Sequence, residues 1–204
     1  MNDRSRMTDP SERATRGRGL LEPLLARLRG RRAEACIPES LRGGRLLDIG
    51  CGACARFVRQ TRFAEKHGVD RLQPSSVDGL TFRRVDLATC SRLPYESGYF
   101  QAVTMLAVAE HLPCEVAARV FEEAYRVLAG GGRFIVTTPA PWSDGLLRGM
   151  ARIGLVSGAE IEEHQRALSR CDLVGSLAAA GFQRDRIESG YFEGGLNIWA
   201  AASK

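Results

Sequence analysis

This 204-residue chain has little lysine, no long apolar run and no repeated metal-binding motif. Lys66 and Lys204 are its only lysines, which makes a catalytic lysine an improbable feature. No apolar run reaches the ~18 residues that a membrane-spanning helix needs. The start, MNDRSRMTDPSER, carries charges where a secretory signal has its apolar core. The sequence therefore predicts a cytoplasmic protein, and its length suits one domain better than two.

The six cysteines include one close pair, Cys51 and Cys54. Without a secretory signal, all six are expected to be reduced thiols. A CxxC pair can be half of a zinc site or a redox pair, but a structural zinc ion needs four ligands. The sequence has neither a second CxxC nor an HxxxH. We therefore interpret both residues as small side chains that fill a tight turn, and predict no metal site.

Positive charge is concentrated at one end of the chain. Residues 1–45 hold eleven arginines and six acidic residues, whereas the rest holds eighteen residues of each sign. Residues 1–18 are predicted to be a disordered basic arm, and 19–204 a single domain that begins with a helical cap at 19–42. A basic arm can simply be solvated, or it can bind nucleic acid, anionic lipid or an acidic substrate.

Apolar runs that suit buried strands alternate with helical patterns in the middle of the chain. Continuous apolar runs predict a parallel sheet with both faces covered. Near the end, two segments around a glycine turn predict an antiparallel hairpin. The predicted strands end at Asp48 and span 67–70, 80–86, 99–106 and 133–138, with a helix at 113–128 and the hairpin at 182–189 and 193–201.

The segment LLDIGCGAC, residues 46–54, is the most informative part of the sequence. An apolar strand passes through Asp48 into Gly50-x-Gly52, and the residues up to about 64 predict a helix. Glycine is needed there because only a residue without Cβ follows so tight a path and lets a ligand approach the backbone. The start of the helix would offer N–H donors to the ligand. The segment predicts a nucleotide-binding turn.

Three predicted strands end in acids: Asp48, Asp70 and Asp86. Ligands of open parallel sheets bind beyond the carboxyl ends of the strands. The spacing from Asp48 to Asp70 is close to the ~20 residues at which an acid meets ribose hydroxyls in dinucleotide sites. Asp86 can accept from the amine of an adenine, with Leu87 packing on the ring. These acids predict a cofactor that contains adenosine.

A dinucleotide is the rival cofactor, because residues 50–55 also fit the pattern G-x-G-x-x-A. Hydride transfer needs an acid, base or electrophile beside the nicotinamide. The chain has no Tyr-x-x-x-Lys pair. The dehydrogenase interpretation is therefore disfavoured.

Four segments carry a family resemblance: LLDIGCGA (46–53), HGVD (67–70), VDLATCSRLPYESGYFQAVTMLAVAEHL (85–112) and EEAYRVLAGGGRFIVTTP (122–139). With them the chain resembles the class I S-adenosylmethionine (SAM)-dependent methyltransferases. The resemblance implies SAM as the cofactor and an α/β fold: a Rossmann-like, seven-stranded, mostly parallel sheet with helices on both faces and a C-terminal antiparallel hairpin. The chain departs from the family at Cys54, where a third glycine is usual, and at Gln101, where Asp is common.

The resemblance also implies site residues. His111 would lie beside the methyl group and is the candidate catalytic base, with packing as its alternative role. Trp142 and His164 belong to a predicted insertion, 141–168, that covers the acceptor and would bind it. His67 is expected to be exposed. The candidate cofactor-binding residues are Asp48, Gly50, Cys51, Gly52, Asp70, Arg71, Asp86, Leu87 and Leu106.

The segment after the fourth strand bears on the acceptor. Enzymes that methylate base amines carry Asp/Asn-Pro-Pro-aromatic there, whereas residues 106–111 read LAVAEH. The sequence predicts methyl transfer by in-line displacement to a small molecule, with no nucleic-acid partner. Two alternatives stay open: an RNA-directed methyltransferase that uses the basic arm, and an inactive SAM-binding protein marked by Cys54. The acceptor atom and the oligomeric state are not determined by the sequence.

Overall fold

The structure is a computed structural model that describes residues 21–74, 76–143, 145 and 168–204. The predicted basic arm, most of the predicted insertion and His164 lie outside these residues. Within the described ranges, no helix combines the length and the apolar character needed to cross a membrane.

Helices and strands alternate along the described residues. The helices are α1 (Glu22–Cys36), α2 (Arg56–Gln60), α3 (Cys114–Val127) and α4 (Arg170–Ala179). The strands are β1 (Arg45–Ile49), β2 (Glu65–Asp70), β3 (Leu80–Arg84), β4 (Phe100–Leu106), β5 (Leu128–Pro139), β6 (Ile187–Phe192) and β7 (Asn197–Ser203). Short 3-10 helices lie at Glu39–Leu41, Ala109–His111, Pro141–Ser143, Arg184–Arg186 and Glu193–Gly195.

The seven strands form one sheet in the order β3-β2-β1-β4-β5-β7-β6. Only β7 runs antiparallel, to β5 on one side and to β6 on the other. The predicted fold class is confirmed. The chain leaves β1 toward β2 and leaves β4 toward β5, so the strand order reverses between β1 and β4, where open sheets form their ligand crevice.

Two apolar clusters fix the layers of the fold. On one face, α3 and α4 cover the sheet with residues such as Phe121 and Leu173, which are fully buried. On the other face, α1 packs through its second half, where Ala33 and Cys36 are buried. Leu24, in the first half of this helix, is 52% exposed.

Several predicted boundaries are also wrong. The helix after the glycine turn has five residues instead of continuing to about 64, because the chain must return to the sheet at Glu65. The third strand ends at Arg84, which leaves Asp86 in a loop. The hairpin strand predicted from Phe182 begins at Ile187, because the Phe182 ring is buried against Tyr125 and Phe134.

His67 is buried, in contrast to the predicted exposure. Its side chain is 7% exposed. The rings of Tyr95, Tyr99 and Phe100 surround the imidazole at centroid distances of 5.6, 5.8 and 5.2 Å. His67 lies within β2, and its ring enters this aromatic cluster instead of facing solvent.

Candidate active site

The glycine turn after β1 closes by hydrogen bonds to the neighbouring strand. The amides of Gly50 and Cys51 both donate to the carbonyl of Val69, at 2.8 and 3.3 Å. Gly50 and Gly52 have φ angles of +74° and +69°, which are strained for residues with a Cβ. A Cβ built on Gly52 would have no described atom within 4 Å, so a ligand can approach this backbone. The predicted roles of both glycines fit this geometry.

Asp70 links the end of β2 to the glycine turn. Its carboxylate accepts from the amide of Gly52 at 2.8 Å and from the amide of Leu72 at 2.9 Å, one bond to each oxygen. The residue is 3% exposed. An ionised carboxylate has about four lone-pair sites, so Asp70 retains acceptor capacity for two hydroxyls. Its position suits the predicted contact with a ribose.

Asp48 lies inside β1, one residue before its end, and is 3% exposed. The hydroxyl of Thr104 in β4 donates to it at 2.7 Å. Burial raises the pKa of Asp48 to about 7; the bond from Thr104 lowers it and the charge of Asp70 raises it. A buried carboxylate that is only partly ionised near neutral pH favours a cationic group beside it.

The turn after β4 is strained as well. Ala107 has a φ of +55°, although it is not a glycine. Its amide donates to the carbonyl and hydroxyl oxygens of Thr137, at 3.0 and 3.2 Å, which anchors the turn to β5. The chain then forms the 3-10 helix that ends with His111, whose amide donates to the carbonyl of Val108 at 3.1 Å.

Gly50 and Val108 bring the two turns together. A Cβ on Gly50 would lie 2.4 Å from a methyl carbon of Val108, a distance that real Cβ atoms do not show. The glycine turn and the turn that carries His111 therefore touch at the point where the strand order reverses. This contact unites the predicted cofactor turn with the predicted base.

The remaining cofactor candidates surround this edge with different exposures. Asp86 is exposed and accepts from the amide of Ala88 at 3.0 Å. Leu87 is buried beneath it. Arg71 is exposed directly after β2, and Leu106 is half-buried at the end of β4. Asp86 has the exposure that a contact with an adenine amine requires.

The cysteine pair is split by the turn. Cys51 is buried, with its sulfur close to Gly68, and burial raises the pKa of its thiol. Cys54 is exposed, so the interpretation that both side chains fill the turn is wrong for Cys54. The peptide oxygen of Cys54 accepts from Arg59 at 2.9 Å. Both are free thiols.

Trp142 lies in the 3-10 helix after β5 and is 58% exposed. It approaches Gly195, where a Cβ would lie 3.3 Å from its ring. The predicted partner in acceptor binding, His164, lies outside the described residues, so the structure does not place the two together. Trp142 does lie at the carboxyl end of β5, two strands from the glycine turn.

Several contributing residues were missed by sequence reasoning. Thr104 interrupts the apolar part of β4, which is a usable signal for a buried polar contact. The strain at Ala107 and the contact of Val108 leave no signal in the sequence. Arg119 in α3 donates to the carbonyls of Leu87 and Ala88, at 3.3 and 3.2 Å, and supports the loop of Asp86 from below.

Comparison with known proteins agrees with this geometry. Residues 47–136 match the profile of a methyltransferase domain family, Methyltransf_11. This central part of the chain is therefore similar to a methyltransferase domain, as the resemblance of its motifs implies. No curated protein sequence matches it closely enough to count as a relative.

Solved methyltransferases share the fold of this chain at low sequence identity. A SAM-dependent methyltransferase from Thermotoga maritima is 19% identical with a TM-score of 0.65, over 89% of this chain and 90% of that one. A chain from a complex of the Haloferax volcanii Trm112 methyltransferase activator with a methyltransferase is 15% identical, TM-score 0.66, over 89% and 92%. A SAM-dependent methyltransferase from Archaeoglobus fulgidus is 17% identical, TM-score 0.62, over 90% and 94%.

The residues at the carboxyl edge of the sheet fit SAM. The open backbone at Gly52 and the carboxylate of Asp70 suit a nucleoside, and the buried carboxylate of Asp48 suits a cationic ligand. SAM carries a ribose diol, an ammonium and a sulfonium. The donor set therefore agrees with the cofactor that the fold implies.

Proposed function

We propose that the protein transfers a methyl group from SAM to a small-molecule acceptor by in-line displacement. The observation that carries the proposal is the contact of the glycine turn with the turn of His111, through Gly50 and Val108. SAM supplies an activated methyl group, so the protein needs chiefly to hold the acceptor in line with it. A cofactor in the glycine turn would present this methyl group toward the second turn.

In this proposal the nucleoside half of SAM is held at the edge of β2 and β3. Asp70 accepts from the ribose hydroxyls while it keeps its bonds to the turn, and Arg71 flanks the ribose. Asp86 accepts from the adenine amine and Leu87 packs on the ring. Gly50, Cys51, Gly52 and Leu106 line the methionine half, whose cationic groups favour the ionised form of Asp48.

His111 acts as the base if the acceptor must lose a proton. The 3-10 helix after β4 holds His111 half-buried next to Glu110, which is 2% exposed. A neutral imidazole can remove a proton from a hydroxyl as the methyl group arrives. Trp142 would form one wall of the acceptor pocket, and His164 would contact the acceptor.

A small-molecule acceptor is supported by the residues after β4. That segment is apolar and ends in Glu110 and His111, without the Asp/Asn-Pro-Pro-aromatic motif of enzymes that methylate base amines. The excess of arginine in residues 1–45 favours RNA as the competing acceptor. Both acceptors use the same cofactor site.

Cofactor binding is tested by calorimetry with SAM on Asp70→Ala, with Asp78→Ala, an exposed acid outside the site, as the matched control. Loss of a charge-assisted acceptor costs roughly 1.5–3 kcal/mol. We expect the Kd of Asp70→Ala to rise at least about tenfold, and that of Asp78→Ala to stay unchanged. A wild-type protein that binds neither SAM nor its demethylated product would overturn the proposed function, whereas SAM binding without methyl transfer would support the inactive alternative.

The acceptor class is tested with SAM that carries a tritiated methyl group. Label is followed into an ultrafiltrate of small metabolites and into purified total RNA, with the wild type and with His111→Ala. We expect label in the small metabolites, and a loss of it in His111→Ala without a change in SAM affinity. Label found only in RNA would establish the competing acceptor.

A further inference from the structure

A cavity of about 470 Å³ lies outside the cofactor edge, between the β2–β3 side of the sheet and the loop that precedes β4. Tyr99 adjoins the first residue of β4, roughly 20 Å along that strand from Leu106. Residues 85–99 cross this part of the sheet without any helix or strand, so a loop instead of a helix covers the sheet here. The lining residues are His67, Arg83, Arg92, Leu93, Pro94, Tyr95, Glu96 and Tyr99.

The cavity contains buried polar atoms that make no hydrogen bond to the described residues. Neither ring nitrogen of His67 makes a hydrogen bond to a described residue, and the nearest carboxylate, that of Glu65, lies 3.7 Å away. The hydroxyl of Tyr95 is buried and likewise makes no hydrogen bond within the described chain. Buried polar groups in folded proteins nearly always have a partner. A ligand that hydrogen-bonds both side chains would supply one.

The charges around the cavity favour an anion. Arg83 is fixed at its wall, because one guanidinium nitrogen donates to the carbonyl of Pro94 at 2.7 Å while the group lies 4.7 Å from the ring centre of Tyr95. Arg92 lines the cavity as a second cation, and Glu96 is the one acid among the lining residues. A third cation, Arg45, lies over Tyr99 and pairs with Glu65.

The remaining wall is aromatic and apolar. The rings of Tyr95 and Tyr99 lie at an interplanar angle of 21°, with centroids 6.3 Å apart. Leu93 and Pro94 add apolar surface. Planar rings pack well against such a wall, and a guanidinium group binds a carboxylate through two parallel hydrogen bonds.

We propose that this cavity binds a small aromatic carboxylate, at a site separate from that of SAM. Arg83 and Arg92 hold the carboxylate, the ring packs against Tyr95 and Tyr99, and His67 pairs with a polar substituent or with the carboxylate itself. The site lies beneath the loop that leads from Asp86 into β4. This carboxylate site depends only on the cavity and its lining residues, whether or not the methyl acceptor is a small molecule.

Calorimetry with sodium benzoate on the full chain tests the proposal. For a ligand of this size we expect a Kd of roughly millimolar or tighter. Arg83→Gln should weaken benzoate binding about tenfold, because it removes a charged donor. The matched control is Arg184→Gln, an exposed arginine between α4 and β6 at the other edge of the sheet. Equal affinity in Arg83→Gln and Arg184→Gln would place any bound benzoate elsewhere and overturn the proposal.

His67→Phe separates hydrogen bonding from packing, because it keeps the ring and removes both nitrogens. We expect weaker benzoate binding with an unchanged melting temperature of the unliganded protein. A variant that binds benzoate as the wild type does would remove His67 from the site and contradict the proposal. A rise of Tm with benzoate in the wild type, absent in Arg83→Gln, gives a second measurement.

Three further ligands define the chemistry. Phenyl phosphate should bind more weakly than benzoate if a planar carboxylate is recognised, and tighter binding would overturn that choice. Benzyl alcohol should not bind, because it lacks the charge. The demethylated product of SAM should leave the benzoate Kd unchanged, whereas competition would show that benzoate occupies the cofactor site.

Discussion

The carboxyl edge of the sheet and the cavity between β2–β3 and the loop before β4 differ in how their buried polar groups are hydrogen-bonded. At the carboxyl edge, Asp48 and Asp70 each accept hydrogen bonds from named donors, and the backbone between them adopts positive φ angles. In the cavity between β2–β3 and the loop before β4, His67 and Tyr95 keep buried polar atoms that make no hydrogen bond to the described residues, on regular backbone, and His67 Nε2 lies 3.7 Å from the carboxylate of Glu65. The first arrangement is prearranged by the protein itself at a cost in strain. The second arrangement is completed only when a ligand binds.

The largest effect is expected where strain and close contact coincide, at Gly50. Gly50→Ala and Gly52→Ala both place a Cβ at positive φ, which costs about 1–2 kcal/mol. Only Gly50→Ala also drives that Cβ into Val108, which adds about 1–3 kcal/mol of overpacking. Urea denaturation should therefore show a clearly larger loss of unfolding free energy for Gly50→Ala.

Val108→Ala provides the control for this contact, because it removes the methyl groups that the new Cβ meets. Combined with Gly50→Ala, it should recover part of the lost stability, seen as a coupling energy in a double-mutant cycle. Equal losses for the two glycine variants, or strict additivity in the cycle, would mean that the two turns do not touch in solution.

The next largest effect on the free energy of unfolding is expected at Asp48, and it depends on pH. Its folded pKa of about 7 lies above the ordinary value of 3.8, so the folded state holds a proton that the unfolded state releases. The stability from this group is complete below pH 4 and is lost as the pH rises through about 7. Asp48→Asn should remove this loss, and be more stable than the wild type at pH 8 by at most about 4 kcal/mol.

Urea denaturation of both proteins at pH 5 and pH 8 measures that difference. His67 acts in the opposite direction, since burial lowers its pKa and favours folding at higher pH. The comparison of wild type with Asp48→Asn cancels this contribution, because His67 is present in both. An identical pH dependence in the two proteins would show that Asp48 is ionised and well solvated. The carboxyl edge would then carry no electrostatic cost.

A smaller effect is expected at Arg119, which supports the adenine loop from α3. Arg119→Gln removes donors to the carbonyls of Leu87 and Ala88, at a cost of about 1 kcal/mol or less. The SAM Kd should rise a few-fold, with unchanged binding in Glu122→Gln, an exposed neighbour on the same helix. If SAM affinity stays the same in Arg119→Gln, the loop does not depend on this support.

The fold could be predicted from sequence because strand periodicity and the order of motifs are local signals. The acids after β1 and β2 and the glycines between them were found in the same way. Residues that act through packing were not: Val108 and Ala107 are ordinary apolar residues until the turns meet. His67 was misjudged because its burial depends on Tyr95 and Tyr99, some thirty residues away along the chain.

Cys54 differs from the glycine that is usual in the family, but this difference has no conformational consequence in the folded turn. The sequence marks it as the position of a missing third glycine, but the described backbone has no positive φ at this residue, and its side chain is exposed. A glycine is therefore not required by conformation. Cys54→Gly should change the SAM Kd by less than about threefold, in contrast to Gly50→Ala, because it adds only backbone freedom. Calorimetry measures the SAM Kd of Cys54→Gly. A Kd that falls tenfold or more would mean that the thiol hinders the cofactor. The carboxyl edge would then be less well prearranged than its hydrogen bonds indicate.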